Sequence, residues 1–193
     1  MTVFNCDIVG TFDGNSESDE RNRDIINFVD LLVKIMHLLD IEDLPFRFYS
    51  SEAMDGVLKK AQELAPFLDG TSIRLTSQYS QDQSYKNGIV INLPLCEQNK
   101  VSQIANKIDK NFENNNVERV IYADDSYINQ LMTKKIIAAK HPNIELVSLI
   151  PSQDKPILEN NTYSSPLRGL KGLNQCLNEY ALSLTQEKGT QKR

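Results

Sequence analysis

Short apolar runs alternate with longer amphipathic stretches along this chain. Val3–Val9 is mostly apolar and closes at Gly10-Thr11, which predicts a first strand and a turn. Gly14–Asp24 is polar and acidic, with Asp13, Glu17, Asp19 and Glu20 expected in a solvated loop. Ile25–Leu39 is apolar over most of its circumference, as a well-buried helix requires. Phe46-Arg47-Phe48-Tyr49 predicts a second strand, ending at Ser50-Ser51, with Ser51 suited to cap a helix over Glu52–Leu64. Thr71–Tyr79 and Gly88–Leu93 read as strands at one sheet edge, and Val101–Phe112 as an amphipathic helix. A strand ending at Asp124, a helix over Tyr127–Ala139 and a strand over Ile144–Ile150 follow. Pro151–Pro166 reads as a loop, Leu170–Leu184 as a last helix, and Thr185–Arg193 as a flexible polar tail. Strands alternating with helices predict a single α/β domain over residues 1–184. Its expected architecture is three-layered and Rossmann-like, with a mostly parallel central sheet.

Composition narrows the function classes. The net charge of −5, with basic residues scattered, argues against nucleic acid as a partner. Cys6, Cys96 and Cys176 lack the paired spacing of a zinc site, and their odd number suits a reducing compartment. His37 and His141 have no partner at metal-binding spacing, and Asn160-Asn161-Thr162 matches a glycosylation sequon without a secretory context. The first residues lack the basic and apolar regions of a signal peptide, and no run is long enough to span a membrane. The expected location is cytoplasmic, and the polar tail leaves export to another cell open.

The chemistry concentrates at Val120-Ile121-Tyr122-Ala123-Asp124-Asp125-Ser126, an apolar run ending in two adjacent carboxylates. Parallel strands deliver their C-terminal ends to the crevice where ligands bind. Adjacent carboxylates repel unless a proton or cation offsets them, and Mg²⁺ is a natural partner for carboxylate oxygen. The plainer reading makes Asp125 or Ser126 the N-cap of the next helix.

Taken in order, several segments together resemble the haloacid dehalogenase-like hydrolase superfamily. The family's first motif, an apolar strand ending in Asp-x-Asp-Gly-Thr, reads here Asp7-Ile8-Val9-Gly10-Thr11. Its second, a strand ending in Ser or Thr, reads Phe46-Arg47-Phe48-Tyr49-Ser50. A Lys opening a helix matches Asn99-Lys100, and the acidic strand with a following Asn matches Asp124-Asp125-Ser126-Tyr127-Ile128-Asn129. The resemblance covers about residues 3–150.

It implies a nucleophilic Asp7 that forms a covalent aspartyl intermediate. It also implies Mg²⁺ held by Asp7, the Val9 carbonyl, and one or both of Asp124 and Asp125. Ser50 would hydrogen-bond the phosphoryl oxygens, and Lys100 would offset negative charge in the transition state. The implied substrate is phosphorylated. Little chain lies between Asp7 and Ser50 beyond one long helix, so no cap is evident and a large substrate or a protein partner fits best.

One departure matters. The second Asp of the first motif, which protonates the leaving group in family phosphatases, is Val9 here. General acid catalysis is worth roughly 10²–10⁴-fold. Branches of the family with Tyr or Ala at this position act on leaving groups activated by other means. Two readings follow: a capless Mg²⁺-dependent hydrolase, or a catalytically degenerate domain that serves as a protein-binding module or exported effector.

Overall fold

Thr2–Asp7 (β1), Leu44–Tyr49 (β2), Ile73–Leu75 (β3), Arg119–Ala123 (β4), Glu145–Pro151 (β5) and Thr162–Ser165 (β6) form one sheet. It is seen in a computed structural model that describes residues 1–8, 10–13, 18–49, 54–75, 117–152 and 160–191. The strand order is β3-β2-β1-β4-β5-β6, and every pairing is parallel. The chain builds outward from β1 to β3 and then returns to the other side of β1 with β4. The switch point therefore lies between β1 and β4, where such sheets open a crevice at their C-terminal ends.

Four helices are described: Ser18–Leu39 (α1), Met54–Leu68 (α2), Tyr127–Lys140 (α3) and Gly169–Gln191 (α4). Period-two alternation divides the strand side chains between two faces. Phe4, Cys6, Phe46, Phe48, Ile121, Val147 and Leu149 pack with α1, α2 and α4 into the larger apolar cluster. Val3, Val120 and Tyr122 pack with Ile137 of α3 on the opposite face. The result is a three-layer, Rossmann-like α/β fold. Among the described residues, no helix is long and apolar enough to cross a membrane.

Several boundaries differ from the sequence reading. α1 begins at Ser18, so Asp19 and Glu20 lie in its first turn and not in a loop. There their charge complements the positive end of the helix dipole. β6 lies within the segment expected to be a loop. It is a polar edge strand, with only Ser165 of its four residues fully buried. α4 continues to Gln191, so most of the expected polar tail is helical. The extension prolongs a helix already anchored by packing, and propagation costs far less than nucleation. Val9, Ser50, Ser51, Cys96, Lys100 and the segments Gly88–Leu93 and Val101–Phe112 lie outside the described residues.

Candidate functional site

β1 and β4 bring three carboxylates together at the switch point. Cys6 stands opposite Ala123 in the parallel register, so Asp7 and Asp124 leave neighbouring strand ends side by side. Asp7 shares a strand face with Val3 and Asn5, and Asp124 shares one with Val120 and Tyr122. Both acids therefore emerge on the α3 side of the sheet. Asp7 is 1% exposed and Asp124 0% exposed; Asp125 is half-buried. One carboxylate oxygen from each of Asp7, Asp124 and Asp125 lies within 4.8 Å of the others.

The loop after β1 is anchored so that it supports this cluster. Ile8 and Phe12 are fully buried, and the Phe12 ring meets Phe28 and Phe48 edge-on at 5.6 and 4.9 Å. Between them the backbone turns tightly, with the Phe12 and Asp13 N–H groups both donating to the Ile8 carbonyl. Gly10 takes φ +75° in this turn, a conformation that disfavours side chains. Thr11 Oγ1 accepts the backbone N–H of Asp125 at 2.9 Å, which ties the first motif to the acidic one.

An ion network holds the same loop from outside. Lys60 Nζ lies 2.9 Å from Asp13, and Arg21 makes a two-point contact with Glu63. The Arg21 guanidinium also lies 5.5 Å from the centre of the Phe12 ring.

Among the described residues, three donors hold Asp124. The Tyr122 hydroxyl and Asn129 Nδ2 both donate to Oδ2, at 2.5 and 3.2 Å, and the Ser126 N–H donates to Oδ1 at 2.8 Å. Burial, followed by the negative charges of Asp124 and Asp7, pushes the Tyr122 phenol well above its ordinary range. It therefore stays protonated and remains a donor. Behind this group, Gln130 is fully buried, and its Nε2 donates to the carbonyls of Tyr122, Asp124 and Leu149. Ser126 is the N-cap of α3, its hydroxyl accepting the Asn129 N–H at 3.4 Å. Capping and the acidic cluster thus occupy the same few residues.

Of the residues singled out from the sequence, the structure brings together Asp7, Asp124 and Asp125. Cys6 lies on the opposite strand face, in the core. Sequence reasoning assigned no role to Tyr122 or Gln130, and had Thr11 only as the last residue of the first motif. The signal available for Tyr122 was its i, i+2 spacing from Asp124, which puts both on one face of a strand.

The donor set fits a hard divalent cation. All three side-chain ligands are carboxylates, the class that Mg²⁺ favours. The Asp125 carboxylate also fills the space where a Cβ on Gly10 would sit. Charges this close and this buried are poorly screened by solvent, so a cation would offset a substantial repulsion. No family model matches the chain, and neither a curated protein nor a solved structure matches it.

Proposed function

We propose that the chain is a Mg²⁺-dependent hydrolase of the haloacid dehalogenase-like type, acting on a phosphoryl group through Asp7. The observation that carries this reading is the convergence of Asp7, Asp124 and Asp125 at the switch point of a parallel sheet. An Asp7 carboxylate oxygen attacks phosphorus, the bond to the leaving oxygen breaks, and an aspartyl phosphate forms on Asp7. Water then cleaves that acyl phosphate, releasing phosphate and restoring the carboxylate. A bound Mg²⁺, held by the three carboxylates, supplies positive charge that lowers the cost of bringing an anionic substrate to an anionic nucleophile.

Val9 offers no proton to the leaving group. The reading therefore favours phosphates whose leaving group departs as a stable anion, such as aryl or acyl phosphates. The family resemblance adds Ser50 as a contact to the phosphoryl oxygens and Lys100 as a positive charge that orients Asp7 and offsets charge in the transition state, and the lack of an evident cap favours a large substrate. The odd number of widely spaced cysteines suits a reducing compartment such as the cytoplasm.

Val9 also supports a second reading, a degenerate domain that binds a protein partner without turnover. Hydrolysis of p-nitrophenyl phosphate separates the two, because nitrophenolate leaves without a proton. The hydrolase reading expects a Mg²⁺-dependent rate that is lost in Asp7→Asn. No rate above background in the native chain would favour the binding module.

A further inference from the structure

We infer that the cleft between α1 and α4 binds a small neutral polyol such as a sugar, with Asn174 as the acceptor at its floor. The cleft has a volume of about 330 Å³, and small-molecule sites usually hold about 300–1,000 Å³. Both helices pack on the face of the sheet opposite the one from which Asp7 and Asp124 emerge, so the site is independent of the hydrolase reading.

Asn174 is the anchor. It lines the cleft and is 6% exposed. Its Nδ2 donates to the Asp24 carbonyl at 2.9 Å, and a carbonyl only accepts, so nitrogen and oxygen cannot trade places. Oδ1 meets no donor among the described residues. A buried acceptor without a donor is costly, and an O–H from a ligand removes that cost.

The remaining wall narrows the class. Lys171 is paired with Glu20 and has Asp24 as a second negative neighbour, so no unbalanced positive charge calls for an anion. A cation in so small a cleft would meet Lys171, and a neutral ligand fits best. Asn27 and Asn178, both exposed, add carboxamides that donate and accept, as hydroxyl groups do. Among the described residues no aromatic ring lines the cleft, so a nucleobase would lack a stacking platform. Leu31 and Leu167 instead offer aliphatic contact to the C–H face of a sugar.

Amide NMR spectra of the full chain, titrated separately with glucose, galactose, mannose and N-acetylglucosamine, test this without reference to turnover. At least one sugar is expected to bind saturably and to shift amides of α1 and α4 around the cleft. Asn174→Ala and Asn178→Ala are each expected to weaken that binding by about 2–10-fold, the effect of losing one neutral hydrogen bond. If circular dichroism shows Asn174→Ala to be unfolded, Asn178→Ala decides, because its side chain is exposed. Native affinity in the folded variants, or shifts confined to other elements, would overturn the inference. A panel in which no sugar binds would overturn it as well. Saturable binding of N-acetylglycinamide alone would replace the polyol with a polypeptide main chain.

Discussion

The carboxylate of Asp125 lies against the bare Cα of Gly10, where an added Cβ would meet Oδ2 at 2.1 Å. Gly10 also has φ +75°, so a side chain is opposed by both backbone and neighbour. Gly10→Ala is expected to lose about 1–2 kcal/mol from the left-handed backbone alone. It should also push Asp125 out of the cluster and weaken cation binding. Urea unfolding in EDTA, paired with an Mg²⁺ titration, checks both effects; native behaviour in each would contradict the packing described.

Asp7→Asn removes one of three mutually repelling charges. In EDTA the variant is expected to melt at a higher temperature than the native chain. The native chain should gain about 2.7 kcal/mol when Mg²⁺ is present at a hundred times its Kd. The variant should gain almost nothing, so that the two stability curves cross as Mg²⁺ is added. A variant that is less stable in EDTA and still responds fully to Mg²⁺ would refute the repulsion argument.

Arg21 gives acid sensitivity a specific location. Its two-point contact holds the Glu63 carboxyl below its ordinary range, against the opposing effect of burial. A carboxyl group with a lowered folded pKa stabilises the fold above its unfolded value, and that contribution is lost as pH falls through the folded one. Glu63→Gln is therefore expected to be less stable than the native chain near neutrality, with the difference vanishing in acid. The pair is partly exposed, so the difference should be about 1 kcal/mol or less. Melting temperatures measured downward from pH 7 test this; a gap that does not narrow as the solution is acidified below the ordinary carboxylate range would exclude the charge pair as its cause.

Burial pushes the Cys176 thiol up to about 12, and Cys6 is also fully buried. Neither should react with a thiol reagent such as Ellman's at pH 8, since the thiolate is the attacking form. Both should react once the chain is unfolded. Tryptic mapping of the labelled positions distinguishes them from Cys96, and rapid labelling of Cys176 in the native chain would contradict its placement.

The α/β class is legible in the sequence because its central strands are short and apolar. Val120–Ala123 and Leu146–Ile150 are fit for burial on both faces, and Ile25–Leu39 is fit for a helix against a sheet. β6 is hidden because Thr162-Tyr163-Ser164-Ser165 sits at the sheet edge, where pairing needs little apolar surface. The first turn of α1 and the end of α4 are hidden for a related reason. Their polar residues face solvent, and the helix reaches them from a packed body. Asp124 and Asp125 are conspicuous as acids after an apolar run. The grip of Tyr122 on Asp124 is not, because a tyrosine in a buried strand looks like core until its hydroxyl is followed two residues along. Gln130 is similarly obscured: its burial depends on three carbonyls supplied by β4, its C-terminal edge and β5.

The Gly169 N–H at the start of α4 donates to the Gly10 carbonyl at 2.9 Å, and farther along α4 Asn174 Nδ2 donates to the Asp24 carbonyl. The last described helix thus closes the loop that follows the first strand. During synthesis the N-terminal elements leave the ribosome first, at about 5–20 residues per second. Asp7 and Gly10 therefore emerge well before the helix that braces their loop, and the acidic cluster acquires its full scaffold only after that helix has been made.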